Sequence, residues 1–323
     1  MKLSIALTTY NGARYLREQL DSFARQVRPP DEVVVCDERS ADATPAILAE
    51  FAASSPFPVR VVINEARLGI IANFEKAIGL CTGDVIFLAD QDDSWHPDKL
   101  ARHEAAYVED PEVGLVFSDA TVVDDRLQPI GLRMYDQLGI TPARLAQLNG
   151  PHALRLLVKR PLLLGCTISF RASLRRFLNP FPTNQLHDNW IPFALASVTR
   201  FRGIADPLID YRSHAQQTVG VNDLREAQAV PAPSDRFAEF DHQADLLDTL
   251  DRHFAPLRGE IKVKDFDRIL RGKRAFLARR KWLLGQPRPV RLLVVARDLI
   301  TGAYLRYAPY PGGEFKNDIR GRR

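Results

Sequence analysis

The chain has 323 residues, of which 46% are hydrophobic and 26% charged, so its composition is that of an ordinary globular protein rather than a disordered one. Its formal net charge of +4 is small, but cationic side chains crowd the last quarter of the chain, which indicates an anionic partner. The apolar run Leu3 to Leu7 is too short for a signal peptide, and no run approaches the roughly 18 apolar residues of a membrane span, so we expect a cytoplasmic protein.

Short apolar runs alternate with helical patterns along the first half of the chain. Strands are predicted at Lys2 to Leu7, Glu32 to Cys36, Val59 to Asn64, Val85 to Ala89 and Val113 to Ser118, with Thr121 to Asp125 as a continuation. Helices are predicted through Tyr15, Leu16, Leu20 and Phe23, from Ser40 to about Ala53, and from Asn73 to Cys81. This alternation is typical of βαβ units and predicts an α/β protein with a mostly parallel sheet flanked by helices.

The second half of the chain is predicted to be more helical. In chain order we expect a mostly helical stretch from Thr141 to Leu164, a strand at Cys166 to Phe170, a loop at Pro180 to Asn184, a helix from Asp188 to Ala196 and a last strand from Ile204 to Tyr211. A break around Val219 to Asp235 reads as a linker or a long surface loop. The expected organisation is a domain over residues 1–220 and a mainly helical C-terminal extension over residues 221–323.

Three cysteines, Cys36, Cys81 and Cys166, lie far apart within apolar runs. They lack metal-ligand spacing, and an odd number suits a reducing compartment better than a disulfide framework. We therefore expect three buried thiols.

The segment Asp90-Gln91-Asp92-Asp93 places three carboxylates at the end of a buried strand. Such crowding of like charge is unfavourable unless a cation lies between the carboxylates. Mg²⁺ and Mn²⁺ prefer oxygen ligands, and the carboxyl ends of strands in open α/β sheets are where ligands bind. The alternative is an acidic turn before a helix, with Asp93 or Ser94 as the cap and Pro97 in the first turn, but capping accounts for only one acid.

Five short motifs occur in order along this pattern: Thr8-Thr9-Tyr10-Asn11, then Asp37 with Ser40 and Asp42, then Asp90-Gln91-Asp92-Asp93, then His187-Asp188-Asn189-Trp190, and finally Tyr211-Arg212-Ser213-His214. Together they resemble the family 2 glycosyltransferases of the GT-A fold, over roughly residues 1 to 220. The acidic and histidine-containing motifs are most similar to the rhamnosyltransferase-like branch, whose members build cell-surface polysaccharide. Each motif alone is weak.

The resemblance implies a divalent metal, Mn²⁺ or Mg²⁺, that stabilises the two negative charges of a departing nucleoside diphosphate. It implies that Asp92 is the direct ligand and that Asp90 contacts the ribose or the sugar of the donor. His214 either completes the metal site or touches the diphosphate, with a structural role as the alternative. For Asp93 a helix-capping role is preferred over ligation.

The resemblance also implies a set of donor-binding residues: Thr9, Tyr10, Asn11, Asp37, Arg67, Asn73, Asp90, Gln91 and Arg212. In this set Asp37 would accept hydrogen bonds from a pyrimidine base, and Arg212 would contact phosphate. Arg67 is either a phosphate ligand or a solvated surface residue. One position departs from the family pattern, because Arg39 stands near a turn where the family usually has glycine. If that turn needs a positive φ, the arginine is strained there.

The resemblance makes Asp188 the predicted catalytic base, whereas the residues alone would favour a helix cap. A carboxylate facing the metal across the cleft would remove the proton of an acceptor hydroxyl, and attack opposite to the leaving group would invert the anomeric centre. The alternative is that Asp188 only caps a helix that begins at Asn189. His187 is expected to orient Asp188, and Trp190 is either a core residue or a platform for a sugar.

The last quarter interleaves apolar and aromatic residues with arginines and lysines: Arg268, Arg271, Lys273, Arg274, Arg279, Arg280, Lys281, Arg288 and Arg291. A basic amphipathic helix of this kind lies either on an anionic membrane surface or against the catalytic domain, and a homo-oligomer contact is a further alternative. Nucleic acid is not expected, since no recognition module accompanies the charge.

The resulting expectation is a metal-dependent inverting glycosyltransferase that moves a sugar from a dTDP- or UDP-sugar, with dTDP-rhamnose as the leading donor, to a glycan or lipid-linked glycan. The alternatives are a UDP-hexose or UDP-hexosamine donor, or a catalytically silent protein that binds nucleotide-sugar. A nucleotidyltransferase is disfavoured because Thr8 to Arg14 lacks a glycine-rich phosphate loop with a lysine.

Overall fold

The structure, a computed structural model, describes residues 1–150, 153–214, 217, 233–309 and 311–320. Its strands are β1 (Leu3–Thr9), β2 (Glu32–Asp37), β3 (Val59–Ile63), β4 (Val85–Ala89), β5 (Ser94–Trp95), β6 (Val113–Val123), β7 (Pro129–Arg133), β8 (Ile168–Arg171) and β9 (Arg200–Arg212). Its helices up to β9 are α1 (Leu16–Ala24), α2 (Thr44–Ser54), α3 (Ile70–Leu80), α4 (Lys99–Glu109), α5 (Met134–Gln137), α6 (Pro142–Leu148), α7 (Ala153–Leu157) and α8 (His187–Leu195). After β9 come α9 (Pro233–Phe254), α10 (Phe266–Leu283), α11 (Arg288–Ile300), α12 (Ala303–Tyr307) and α13 (Pro311–Arg320).

One sheet joins these strands in the order β3-β2-β1-β4-β8-β6-β9-β5, with β7 paired to β6. The half formed by β3, β2, β1 and β4 is parallel throughout. The other half is mixed, because β8 runs antiparallel to both β4 and β6 while β9 is parallel to β6. The expected α/β class is confirmed, and the parallel half is the part that the βαβ pattern describes.

The central strands are mostly apolar because both of their faces are buried. Residues Val33 to Val35 of β2 and Ile5 to Leu7 of β1 are fully buried, and so is every residue of β4. These strands hold the carboxyl end of the parallel half in a fixed position.

Hydrogen bonds to side chains explain a four-residue error at the start of one predicted helix. Helix α2 begins at Thr44 instead of Ser40. The Ser40 N–H and hydroxyl donate to the Asp37 carboxylate, and the Ala41 N–H donates to Asn11 Oδ1, so the backbone before Thr44 is held as a loop.

Other predicted bounds also differ, and β9 begins at Arg200 instead of Ile204. The stretch 141–164 is helical only at α6 and α7 within the described residues, and Gly165–Thr167 form a 3₁₀ turn, so β8 begins at Ile168. The strand predicted from Val113 with Thr121 to Asp125 as its continuation is β6, which runs without a break from Val113 to Val123. The three cysteines are buried free thiols, as expected.

The helices after residue 233 share the core of the α/β domain. Apolar side chains of α9 and α10, including Phe240, Phe254, Leu270 and Leu277, belong to the main hydrophobic cluster. A second, smaller cluster of Phe276, Leu283, Val295, Ala303, Tyr304 and Ala308 joins α10 to α11 and α12. The core is therefore continuous beyond the predicted domain boundary, and most of the predicted linker lies outside the described residues.

Helix α10 faces inward and α11 partly outward. Phe276 and Leu283 are buried, as the packing alternative for the basic segment requires, whereas Leu292 and Leu293 are exposed. None of the described helices combines the length and apolar character needed to cross a bilayer.

Candidate active site

A cleft of about 280 Å³ opens at the carboxyl end of the parallel half of the sheet. Such an edge is the usual ligand site of open α/β sheets. Its lining comes from the ends of β1, β4 and β9 and from the start of α8, and includes Thr8, Thr9, Tyr10, Glu38, Arg67, Asn73, Asp90, Gln91, Asp92, Cys166, His187, Asp188, Tyr211 and Gln217. Most of the predicted site residues are thus brought together. Asn11, Asp37, Arg212 and His214 lie beside the cleft rather than among the residues that line it.

The acidic loop after β4 concentrates negative charge. Burial, followed by the nearby Asp188 and Asp92 carboxylates, raises the pKa of Asp90 to about 7. Burial, followed by Asp92 and Asp90, likewise raises the pKa of Asp93 well above its usual range. Ligand atoms of Asp90, Asp93 and Cys166 all lie within 4.8 Å of one another. A bound cation would relieve this repulsion.

Asp93 is not a helix cap, contrary to expectation. Helix α4 begins only at Lys99, and Asp98 is the residue at its N-cap. The Asp93 side chain is fully buried, and its Oδ1 accepts a hydrogen bond from the Arg212 N–H at 3.1 Å. Ser94, the other predicted cap, lies in β5.

Asp92 and His214 form a pair that suits a divalent cation. Asp92 Oδ2 lies 2.9 Å from His214 Nε2, and the imidazole also packs against the ring of Tyr15 with centroids 4.6 Å apart. A carboxylate and an imidazole that meet beside further carboxylates offer oxygen and nitrogen donors for a divalent ion, and carboxylate favours Mg²⁺ or Mn²⁺. The residues present therefore fit the metal that the resemblance implies.

Arg212 differs from its expected role as a phosphate ligand. Its side chain is fully buried behind the acidic loop. The guanidinium donates to the Asp92 carbonyl oxygen at 2.7 Å, to the Asp125 carbonyl oxygen and to the Glu18 carboxylate. It therefore fixes the backbone that carries Asp92 instead of facing the cleft.

Tyr10, Arg67 and Gln91 form one wall of the cleft mouth. The Arg67 guanidinium lies 3.9 Å from the centroid of the Tyr10 ring and donates to its hydroxyl at 3.1 Å. Gln91 accepts a hydrogen bond from the Tyr10 N–H at 2.8 Å and donates to the Tyr10 carbonyl oxygen at 3.1 Å. A partly exposed tyrosine ring with a guanidinium over one face is suited to a nucleobase and a phosphate.

Asp37 is a buried hydrogen-bond acceptor within the protein. Its carboxylate accepts hydrogen bonds from the Thr9 hydroxyl at 2.7 Å and from the Ser40 hydroxyl at 2.6 Å, as well as from the Ser40 N–H. Asn73 is also buried, and its amide donates to the Cys36 carbonyl oxygen. Both side chains stabilise the loops around the cleft in this structure.

The turn after Asp37 has the strain that its sequence suggests. Arg39 adopts φ 58°, a left-handed conformation that glycine would accept more easily. Its neighbour Glu38, which the motifs do not single out, lines the cleft and accepts hydrogen bonds from the Leu68 and Gly69 N–H groups.

His187 and Asp188 lie at the start of α8 as an interacting pair. His187 Nε2 is 2.7 Å from Asp188 Oδ1, and the imidazole stacks on Phe74 with centroids 3.7 Å apart. Burial opposes the charge of both groups, yet Asp188 and Asp90 raise the pKa of His187 and the pKa of Asp188 is lowered by His187. Leu186 is the N-cap residue of α8, so Asp188 belongs to its first turn and is not its cap.

Gly165 completes this corner, although no motif points to it. A Cβ atom at Gly165 would lie 2.1 Å from Asp188 Oδ1 and 2.7 Å from His187 Nε2. Only a residue without a side chain allows the backbone to pass this close to both groups. The sequence signal is weak, because a glycine before a strand is common.

Comparison with known proteins identifies the family. Residues 4–179, more than half of the chain, match the description "Glycosyl transferase family 2". The chain therefore belongs to this glycosyltransferase family, as the motif order predicts. The finer assignment to a rhamnosyltransferase-like branch remains a hypothesis.

Solved structures confirm the GT-A fold. TarS of S. aureus, in complex with UDP-GlcNAc, matches with a TM-score of 0.55 and 18% identity over 99% of this chain and 90% of that chain. The mannosyltransferase PcManGT of Pyrobaculum calidifontis, in complex with GDP-Man and Mn²⁺, matches with a TM-score of 0.51 and 22% identity over 92% of this chain and 80% of that chain. At sequence identities of 18% and 22%, the comparison shows a shared fold only.

Curated relatives match only part of their length. An uncharacterised protein of Mycobacterium tuberculosis is 35% identical over 123 residues, which are 38% of this chain and 36% of that protein. The amylovoran biosynthesis glycosyltransferase AmsB of Erwinia amylovora is 31% identical over 106 residues, 32% of this chain and 35% of that protein. The matches thus span about a third of the length of these relatives.

Proposed function

We propose that the chain is a metal-dependent, inverting glycosyltransferase that moves a sugar from a nucleoside diphosphate sugar to a hydroxyl of a glycan acceptor. The observation that carries this proposal is the convergence of Asp90, Asp92 and Asp188 on one cleft, from the end of β4 and the start of α8. Family membership supports the reaction class.

The residues around the acidic loop would bind the donor. Asp92 and His214 would hold a divalent ion, and Asp90 would accept hydrogen bonds from the ribose or the sugar. When bound, the ion would stabilise the two negative charges that develop on the leaving diphosphate. Arg67 would add a positive charge at the cleft mouth, beside the Tyr10 ring on which a base could stack.

Asp188 would act as the general base. It is ionised at neutral pH because His187 lowers its pKa, so it can accept the proton of the acceptor hydroxyl during attack. His187 and Gly165 would act as positioning residues that fix the direction of the carboxylate. Attack from this side, opposite to the leaving diphosphate, would invert the anomeric centre.

The proposed donor is a dTDP- or UDP-sugar, with dTDP-rhamnose first. A UDP-hexose or UDP-hexosamine is the alternative, and it is supported by the UDP-GlcNAc complex of TarS, the neighbour that covers 99% of this chain. A panel of these donors with product detection separates the two proposals. Clear preference for a UDP-hexose or UDP-hexosamine would overturn the rhamnose proposal.

The proposed role is polysaccharide biosynthesis at the cytoplasmic side of a membrane, with a lipid-linked glycan as acceptor. AmsB, which is named for amylovoran biosynthesis, supports the polysaccharide assignment. An anionic membrane surface and a homo-oligomer are the two partners proposed for the basic extension.

Asp188→Asn tests the proposed base. The substitution keeps the size of the side chain but removes its basicity, so turnover should fall by about 10²- to 10⁴-fold while donor affinity is retained. Product formation and calorimetric donor binding measure the two effects. Asp206→Asn, an exposed carboxylate paired with Arg102, is the matched control and should keep normal turnover. Unchanged turnover of Asp188→Asn would remove Asp188 from the base role.

A catalytically silent nucleotide-sugar-binding protein is the alternative from another class. Such a protein would bind donor but form no product with any glycan acceptor. Removal of divalent metal by a chelator should abolish turnover and weaken donor binding if the proposal holds, and turnover that survives the chelator would contradict it.

A further inference from the structure

A second cavity, of about 410 Å³, lies away from the cleft, where α7, the start of α10 and α12 meet. Four of the side chains that line it are cationic and one is anionic: Arg155, Lys159, Arg268, Arg306 and Asp265. Its floor is apolar, because Leu156, Val158 and Ile269 are buried there.

The positive charge of this cavity is only partly compensated. Arg155 and Arg268 share the single carboxylate of Asp265. Lys159 donates to the Leu305 carbonyl oxygen at 2.7 Å, and Arg306 donates to the Thr301 carbonyl oxygen. Neither of these two cations has an ion-pair partner within the described ranges. Burial, followed by Arg144, lowers the pKa of Lys159, so its surroundings favour the arrival of an anion.

An exposed apolar stripe lies next to the cavity. On α11 the exposed residues Leu292, Leu293, Ala296, Leu299 and Ile300 are spaced i, i+1, i+4, i+7 and i+8, which places them on one face of the helix. Leu305 of α12 is 69% exposed and also lines the cavity, so it joins the apolar surface to the cationic one.

The charges around this stripe have one sign. Arg288 and Arg297 are exposed and lie one helical turn from Leu292 and Leu293, on the two borders of the stripe. Asp298 is the one acidic residue between positions 284 and 309; it is buried and pairs with both Arg279 and Arg297, so it offsets part of the positive charge of the Arg297 border. An apolar stripe with basic borders is the pattern of a helix that lies in the interface of an anionic bilayer.

We propose that α11 and α12 lie on an anionic lipid bilayer and that the cavity binds the phosphate of one lipid headgroup between Lys159, Arg268 and Arg306, with an acyl chain along Leu305. This proposal deepens the membrane contact proposed for the extension and does not depend on the sugar-transfer reaction. A second copy of the chain is a poorer occupant, because a twofold contact through this face would bring arginines against arginines.

Vesicle binding in the absence of donor tests the proposal with the full-length protein. Wild type should co-sediment with vesicles rich in phosphatidylglycerol, bind phosphatidylcholine vesicles weakly, and lose binding as salt increases. Arg268→Gln and Arg306→Gln should each weaken partition by about fivefold, the effect of one basic residue at an anionic surface. Leu293→Gln and Ile300→Gln should also weaken it, because they remove apolar surface from the stripe.

Matched controls lie on other surfaces of the molecule. Arg202→Gln on β9 and Val108→Gln on α4 change an exposed arginine and an exposed apolar residue, and both should bind vesicles like wild type. Thermal unfolding confirms that every variant is folded. Asp188→Asn should bind vesicles normally, and Arg306→Gln should keep transfer to a water-soluble acceptor, so failure here is distinguishable from failure of the transferase proposal.

Three results would overturn the proposal. Normal vesicle binding by both Arg268→Gln and Arg306→Gln would show that the cavity takes no headgroup. Displacement from vesicles by millimolar inorganic phosphate would assign the cavity to a free anion. Self-association in light scattering that Leu293→Gln abolishes, without vesicle binding by wild type, would assign the stripe to a second copy.

Discussion

At Gly165 the backbone passes so close to Asp188 and His187 that any side chain would collide with both groups. The catalytic proposal therefore depends on the absence of a Cβ atom as much as on the presence of a carboxylate. Chemistry-bearing residues such as Asp188 stand out in a sequence, whereas a glycine that leaves room for them does not. This is why the motifs predict Asp188 and His187 but not Gly165.

Gly165→Ala should displace the Asp188 carboxylate and lower turnover by about 100-fold, since a catalytic group moved by about 1 Å loses its alignment. Steady-state kinetics with saturating donor measures the effect. The control is Gly79→Ala in α3, where an added Cβ meets nothing within 4 Å and turnover should not change. Equal activity of the two variants would show that Asp188 does not need its present position.

Other residues show the limit of motif reasoning about orientation. The motifs correctly place Asp37 at the end of β2 and Arg212 at the end of β9. They do not reveal that hydrogen bonds inside the protein occupy both side chains, because those partners, such as Thr9 and Glu18, come from distant parts of the chain. Identity and strand position follow from the sequence, while the direction of a side chain depends on tertiary contacts.

At the scale of elements, apolar periodicity predicts the central strands to within a residue or two, as for β4, because buried parallel strands are apolar throughout. It fails where side chains compete with the backbone, as before α2, and where a long apolar stretch after α7 is buried without being helical. The sequence does not decide whether α10 packs against the catalytic domain, since its lysines and arginines suggest a solvated helix.

Lys273 in α10 provides a pH test of this packing. It is 1% exposed, and its ammonium donates to the Tyr307 carbonyl oxygen at 2.9 Å. Burial, followed by Arg280, lowers the pKa of Lys273 to about 7, below the value of about 10.4 in an unfolded chain. Between these values the unfolded state binds more protons, so the contribution of Lys273 to stability rises with pH.

Lys273→Met should abolish this pH-dependent contribution. The free energy of unfolding of wild type minus that of the variant should increase by up to about 1.4 kcal/mol per pH unit above pH ~7. Urea unfolding at several pH values measures it. Lys281→Met, which removes an exposed lysine paired with Asp241, is the matched control for loss of a lysine outside the core. A constant difference for Lys273→Met would mean that its native pKa is not lowered.

At the scale of the whole molecule, one carboxylate joins the helices of the extension. Asp318 of α13 is fully buried and accepts hydrogen bonds from Arg236 of α9, Arg280 of α10 and the Tyr304 hydroxyl of α12, the last at 2.6 Å. Since α9 and α10 also belong to the main core, this cluster connects the extension to the catalytic domain. Composition predicts the helical extension but not this connection.

Asp318→Ala should lower the free energy of unfolding by about 3–5 kcal/mol, because it leaves the buried Arg236 guanidinium without its ion-pair partner and Arg280 with Glu314 alone. Denaturant unfolding measures the loss, and limited proteolysis should show earlier cleavage near α13. Asp241→Ala removes an exposed ion pair and should change stability by less than about 1 kcal/mol. A stability loss below about 1 kcal/mol for Asp318→Ala would mean that the cluster does not hold the extension in place.

The buried Arg212 side chain affects how much conformational entropy is lost when a ligand binds in the cleft. One guanidinium joins the carbonyl oxygens of Asp92 and Asp125 to Glu18 of α1, so two loops are tied to a helix in the folded protein. Under the proposed metal-dependent mechanism, an ion would meet an Asp92 backbone that is already held in place, and little conformational entropy would be lost in binding it. Affinity at such a site depends mainly on electrostatics, and little on any rearrangement of the backbone.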